Sequence, residues 1–343
     1  MVKSTAREIL MVCRRNWSFF VVVIFGFCPL LWFKEDLLIG GGDYHFFLDP
    51  SSYLPKYLHT WSNLTNFGFP VLNISFLFPM ITFWSFLKGL GLTLLLIEKL
   101  WFITVFATTG LSMYFLVRFL QNPEDSNRPT SFVQHLARLA AVAAYLFNPY
   151  AMNDALSPTM RPMAALLPLL VLLWMKGLRQ TKGCGRTALL IGLISIFLST
   201  SNGHPAASTP IIIACLTYLL IFVLATRRFF QALKFLLLSS IFLLLFNLWW
   251  FLQFLLSSLS SYSSLSGSIK TNLFIGASHI YETFRFMGNW AFRSIGDIPY
   301  AHLYYEPIFL VLTFIVPIIA LSALYFAPRD KNVISFALLG LIG

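Results

Sequence analysis

The chain has 343 residues, of which 58% are hydrophobic and only 11% are charged, and its mean hydropathy is +0.76. Soluble domains average about 45–50% apolar and about 25% charged residues, so this composition excludes an ordinary soluble globular protein. The formal net charge is +11. Because the basic residues sort to one side of the predicted membrane, as described below, this charge is a topology signal and predicts no nucleic-acid partner.

Long apolar runs predict an all-α polytopic membrane protein. They approach or exceed the ~20 residues that a helix needs to cross the hydrocarbon core, and few carry a charge near the middle. In chain order, the predicted crossings are about 16–33, 97–119, 133–149, 160–177, 187–203, 206–226, 235–256 and 306–326, with a last run starting near 332. We treat residues 1–343 as one transmembrane module, and because they end inside an apolar run we expect a longer natural protein.

A long segment, 34–96, separates the first two crossings. Its last part, 76–96, is apolar but is interrupted by Pro79, Lys88 and Gly89. This pattern predicts a helix that dips into the outer leaflet or lies on it, and a full crossing is the alternative.

The same segment contains a second helical pattern at 51–64. Tyr, Leu and Trp side chains recur there at helical spacings, and Ser51 or Ser52 is available as the N-cap. An amphipathic helix of this kind suits the membrane interface, while a lid packed on other loops is an equally good interpretation.

The distribution of charge predicts the orientation of the chain. Lys and Arg are in roughly two-to-one excess on the side that holds the N-terminus, which places that side in the cytoplasm. Most acids and most histidines fall on the outer side, together with the two long segments 34–96 and 257–305. Loops of this length are usually functional or structured, although the Ser-rich stretch 257–268 is typical of a flexible loop. We therefore expect the polar chemistry on the outer face.

The first candidate site residues stand in 40-GGGDYHFFLDP-50. Three glycines before Asp43 let the backbone bend and approach another group closely, and an acid near the membrane is a functional candidate by default. The alternative for Asp43 is a helix cap or a salt bridge with Lys34 or Arg161. Asp49 precedes a proline, so it is equally a turn starter or a helix N-cap, and His45 is a candidate substrate contact.

Two further polar stretches lie at predicted outer helix ends. In 147-FNPYAMNDALSPTMRP-162, Asn153, Asp154 and Arg161 stand just before an apolar span. The Arg161 guanidinium could hold a lipid phosphate by paired hydrogen bonds, or it could extend to the headgroups. In 199-STSNGHPAAS-208, Asn202 and His204 could face a cavity, and a bare turn is the alternative.

The second long outer segment contains 281-YETFRFMGNWAFRSIGD-297. Arg285, Trp290 and Arg293 form a mixture that suits a phosphate and a stacked sugar ring, with a surface amphipathic helix as the alternative. The cysteine spacing indicates neither a disulfide framework nor a zinc site, and no nucleotide-binding loop occurs. A divalent metal is thus not indicated, although it is compatible with the chain.

The order of these features resembles the membrane module of GT-C glycosyltransferases. Several stretches resemble one group within that class, the AftD-like alpha-(1,3)-arabinofuranosyltransferases. The resemblance covers most of residues 35–255 and is carried by 48-LDPSSYLPKYLHTWSN-63, 76-FLFPMITFWSFLKGLGL-92, 98-EKLWFITVFATTGLSMYFLVRFL-120, 139-LAAVAAYLFNPYAMNDALSPTMRPMAALLPLLVLLW-174, the hairpin at Asn202 and 247-NLWW-250.

The resemblance implies a specific reaction. An acid of the first outer loop, here Asp43 with Asp49 as second choice, would deprotonate an acceptor hydroxyl of a glycan or glycolipid. That hydroxyl would attack a polyprenyl-phosphate sugar, arabinofuranose or another, while outer basic groups steady the departing phosphate. The alternatives are a flippase or exporter of the same lipids, whose polar groups should follow a path through the bilayer, and a glycan-assembly scaffold.

Overall fold

The computed structural model describes residues 16–35, 37–40, 48–58, 61–62, 69–70, 79–121, 130–153, 155–157, 160–199, 205–265, 282, 284–286 and 301–326. Its α-helices are α1 (Trp17–Phe25), α2 (Pro50–Tyr57), α3 (Met80–Gly89), α4 (Leu94–Gln121), α5 (Phe132–Phe147), α6 (Pro149–Asn153), α7 (Met160–Arg179), α8 (Cys184–Ser195), α9 (Pro205–Thr226), α10 (Phe229–Leu265) and α11 (Pro307–Phe326). Short 3-10 helices cover Cys28–Trp32, Ile196–Leu198 and Ala301–Tyr305. Two short strands, β1 (Trp61–Ser62) and β2 (Phe69–Pro70), pair antiparallel.

Two groups of helices meet at α7. The long helix α4 has 28 residues, which corresponds to about 42 Å, and packs against α1, α5 and α7. On the other side of α7 lie α8 and α9, and α10 packs on α8. The first turns of α4 and of α7 pack together with α3 in one apolar cluster, so α4 and α7 begin at the same end of the bundle. We call this the α3 end.

The helices have the length and composition of a membrane protein. Among the described residues, Leu94–Gln121, Arg161–Arg179 and Phe229–Leu252 are long and apolar enough to cross a membrane. Shorter apolar helices cover Trp17–Trp32, Phe132–Phe147, Cys184–Leu198, Ile211–Thr226 and Pro307–Ala323. Large apolar side chains of α10 and α11, such as Leu245 and Ile308, are exposed, as expected where lipid replaces water. The protein is an all-α membrane protein, as the composition predicts.

The first predicted crossing is not one continuous helix. Helix α1 ends at Phe25, and the chain continues as a 3-10 helix from Cys28. Pro29, the second residue of that helix, has no backbone N–H to continue an α-helical ladder. Gly26 lies against α4, because a Cβ at this position would be 2.7 Å from the Cβ of Ala107.

Two other boundaries differ from the sequence interpretation. The helix expected over 51–64 ends at Tyr57, and Trp61–Ser62 pairs with Phe69–Pro70 instead. The stretch 257–268, expected to be a flexible loop, continues α10 as far as Leu265. Extending an existing helix fixes one residue for each new hydrogen bond, so Ser does not stop it. The predicted run from about 332 lies outside the described residues.

Candidate active site

The structure describes four of the predicted site residues: Asp49, Asn153, Arg161 and Arg285. The other seven lie outside the described residues: Asp43, His45, Asp154, Asn202, His204, Trp290 and Arg293. Of the segments that flank them, those around Ile39 and Leu54 pack at the α3 end.

An apolar cluster forms the floor of the α3 end. It combines the buried residues of α3 with those of the first turns of α4 and with Ala165 of α7, and the segments before and after the glycine run add Ile39 and Leu54. Its largest members, Trp84, Trp101 and Phe102, are at most 5% exposed. Side chains this well packed give the polar groups around them a rigid support.

Glu98 is buried in this cluster. It is the single acid of α4, stands in the second turn of the helix and has 0% exposure. Its Oε2 atom accepts a hydrogen bond from the backbone N–H of Ile39 at 3.1 Å. Glu98 was not among the site residues predicted from the sequence. The available signal was an acid inside a long apolar helix, which marks a candidate site.

Asp49 occupies the N-cap position of α2. Its side chain is exposed and makes no capping hydrogen bond, while its carbonyl oxygen accepts from the Ser52 hydroxyl at 3.1 Å. The neighbouring Pro50 carbonyl accepts from the Ser85 hydroxyl of α3 at 2.9 Å. The backbone next to Asp49 is thus held against α3, and the Asp49 side chain is exposed on the surface of the protein.

Arg161 faces the interior of the protein. It is 3% exposed, its Nη1 donates to the Ala151 carbonyl at 3.1 Å, and its guanidinium carbon lies 3.9 Å from the centre of the Phe106 ring. The role predicted from the sequence, holding a lipid phosphate or extending to the headgroups, stays a prediction. Asn153 is half-buried at the end of α6, the same short helix that supplies Ala151.

Arg285 connects the short segment 284–286 to α11. It is 1% exposed, and its Nε donates to the Thr313 hydroxyl at 2.9 Å and its Nη2 to the Tyr304 carbonyl. Burial raises the pKa of the Tyr304 hydroxyl above its usual range. Two nitrogens of the guanidinium therefore bind groups of the protein, and the phosphate contact predicted from the sequence stays a prediction.

An apolar cavity of about 420 Å³ lies between α7, α8, α9 and α10. Its volume is within the range of about 300–1,000 Å³ that is usual for ligand pockets. Exposed side chains such as Ile212 and Leu244 line it, so it reaches the surface between α9 and α10. Toward the α3 end it contains Asn247, which donates to Ser195 at 2.6 Å and accepts from Trp250 at 2.9 Å.

No metal site is visible in the part of the chain that the structure describes. No group of three or more His, Cys, Asp or Glu residues there could hold a metal ion.

One protein-family model matches most of this chain. The model described as "Alpha-(1->3)-arabinofuranosyltransferase, N-terminal GT-C domain" matches residues 34–341. The chain belongs to this family. The resemblance drawn from the sequence is confirmed, and this GT-C chain is a membrane glycosyltransferase of the arabinofuranosyltransferase type. No curated protein and no solved structure matches it at a significant level.

Proposed function

We propose that this GT-C module transfers a sugar from a polyprenyl-phosphate-linked donor to a glycan or glycolipid acceptor on the outer face of the membrane. The observation that supports this most is the family match, which begins at residue 34 and includes the whole acidic segment around Asp43 and Asp49. Arabinofuranose is the first sugar to test because the family description names it.

The proposed reaction is a single displacement. The Asp43 carboxylate takes the proton of the acceptor hydroxyl, and the hydroxyl oxygen forms a bond to the anomeric carbon of the donor. The bond between that carbon and the phosphate oxygen breaks, and polyprenyl phosphate leaves with the electron pair. Asp49 is the second choice for the base, and its outward carboxyl group supports keeping it as a candidate.

The proposed substrate contacts divide into two groups. Arg161 and Arg285 are buried, so we propose that they support the walls of the site. We propose that the remaining candidates contact the donor or the acceptor directly: His45, Asn153, Asp154, Asn202, His204, Trp290 and Arg293. Cationic and hydrogen-bonding groups among them would stabilise the negative charge that develops on the departing phosphate.

The apolar cavity supports a lipid-linked donor. It reaches the surface between two apolar helices, and its polar residues Asn247 and Ser195 lie toward the α3 end. A polyprenyl chain in this cavity would have its phosphate toward the α3 end, where α2 with Asp49 at its start packs on α3. No catalytic metal is required by this mechanism.

The positions of buried polar groups favour transfer over lipid export. Within the described part of α1, α4, α5 and α7, the buried Glu, His and Arg side chains stand near the two ends of the bundle, Glu98 and Arg161 at one and His135 and Arg138 at the other. Between them, Thr109 donates to a carbonyl of its own helix at 2.7 Å. A flippase is expected to have polar groups along a path through the bilayer.

A donor assay tests the proposal. Purified protein in lipid discs is given a glycan acceptor and either labelled arabinofuranosyl-phosphoryl-polyprenol or a nucleotide-linked sugar, with a hexose on polyprenyl phosphate as a third donor. We expect labelled product from a polyprenyl-phosphate donor only. Product from the nucleotide sugar alone would contradict the proposal, and so would movement of the lipid-linked sugar across vesicles without any covalent product.

A further inference from the structure

Glu98 is a buried polar group that the proposed mechanism does not use. A carboxyl group in an apolar cluster is costly unless it is hydrogen-bonded, and a leucine of similar size would suit Trp101 and Phe102 better. One hydrogen bond of this carboxyl group is to the Ile39 N–H, at 3.1 Å. This bond joins α4 to the segment that precedes the glycine run.

The bond holds the start of the glycine-rich segment. Two contacts hold Ile39 in position: its N–H donates to Glu98, and its side chain packs on the apolar cluster. Gly40 follows directly, and Asp43 comes after two more glycines. A glycine run has a large conformational freedom, so the position of an acid that follows it depends on where the run is anchored.

The end of the same segment is anchored as well. The Ser85 hydroxyl donates to the Pro50 carbonyl, and Leu54 of α2 packs on the same apolar cluster as Ile39. The residues between Ile39 and Pro50, which include both candidate acids, thus begin and end on one support made by α3 and α4.

We propose that Glu98 is a positioning residue of the glycosyl transfer: its carboxyl oxygen fixes the backbone at Ile39 on α4, and thereby the point from which the segment with Asp43 starts. This inference rests on the proposed function. Glu98 acts through the backbone and does not touch the substrate. What it must supply is a hydrogen-bond acceptor at this place, which an amide oxygen also provides.

Two variants of similar size separate this role from packing. Glu98→Gln keeps an acceptor oxygen, whereas Glu98→Leu fills the space without one. We expect Glu98→Leu to lower kcat about tenfold, with KM for the donor within about twofold of wild type, because a backbone N–H loses its partner. Glu98→Gln should stay within about threefold of wild-type kcat. Ser112→Ala is the matched control, since Ser112 is a buried polar residue of α4 that donates only to its own helix.

Hydrogen exchange gives a second readout that needs no activity. In Glu98→Leu, the peptide that contains Ile39 should exchange at least about tenfold faster than in wild type, Glu98→Gln or Ser112→Ala. Equal exchange in all four proteins, or unchanged kcat in a folded Glu98→Leu variant, would overturn the inference. If wild type transfers no sugar while the exchange pattern is as expected, the proposed function fails and the anchoring of Ile39 stands.

Discussion

At the scale of single residues, Gly192 determines how closely α8 and α10 approach. A Cβ at this position would be 2.8 Å from the Cβ of Phe242 and 3.0 Å from its carbonyl oxygen, so that a methyl group would meet atoms that cannot rotate away. In the same helix, a Cβ at Gly185 would meet nothing within 4 Å. A methyl group therefore fits at position 185 but not at position 192.

Substituting each glycine by alanine tests this contact. Gly192→Ala should lower the free energy of unfolding by about 1–3 kcal/mol, because the helices must separate to admit the methyl group. Gly185→Ala should leave it unchanged or raise it by up to about 1 kcal/mol, since alanine has the higher helix propensity. Thermal unfolding in one detergent measures both. A Gly192→Ala protein that melts at or above wild type would show that the close approach is not tight.

The residue types and their spacing predicted charged candidates but not the direction in which their side chains point. Arg161 stacks on Phe106, which lies in another helix, and no local pattern links these positions. Glu98 was passed over because one acid in an apolar helix also suits a surface position at a membrane boundary. Side-chain direction at such sites is set by tertiary packing, whereas residue type and spacing in the sequence are local.

At the scale of elements, the long apolar runs predicted the helices well and their ends less well. The run predicted over 97–119 is the helix Leu94–Gln121, and the run over 160–177 is Met160–Arg179. Hydropathy marks the part of a helix in the hydrocarbon core and carries little information on the part outside it, so the extension of α10 to Leu265 was missed.

The length of α3 distinguishes between the two interpretations of the segment 76–96. The segment 76–96 was expected to lie on the membrane or to dip into it, with a full crossing as the alternative. The helix found there, Met80–Gly89, has ten residues, which corresponds to about 15 Å against about 30 Å for the hydrocarbon core. Its length favours the first interpretation.

At the scale of the whole molecule, the proposed orientation places the α3 end outside the cell. Cysteine labelling tests it on a chain whose four native cysteines are replaced. Ser51→Cys in α2 and Lys182→Cys in the turn before α8 are both at exposed positions. A membrane-impermeant thiol reagent should label Ser51→Cys in intact cells and Lys182→Cys only after permeabilisation. The reverse pattern would place the acidic segment in the cytoplasm and contradict the proposed donor side.

The central claim is that an acid of the first long loop is the base of a lipid-linked glycosyl transfer. The most direct test is the transfer rate of Asp43→Asn and Asp49→Asn, alone and together, with arabinofuranosyl-phosphoryl-polyprenol as the donor. We expect Asp43→Asn to lower kcat at least about 100-fold with an unchanged donor KM, because a general base contributes about 10²–10⁴ to the rate. Asp49→Asn should have a smaller effect. A wild-type rate in the double variant would contradict the claim, and a larger loss in Asp49→Asn than in Asp43→Asn would contradict the assignment of the base.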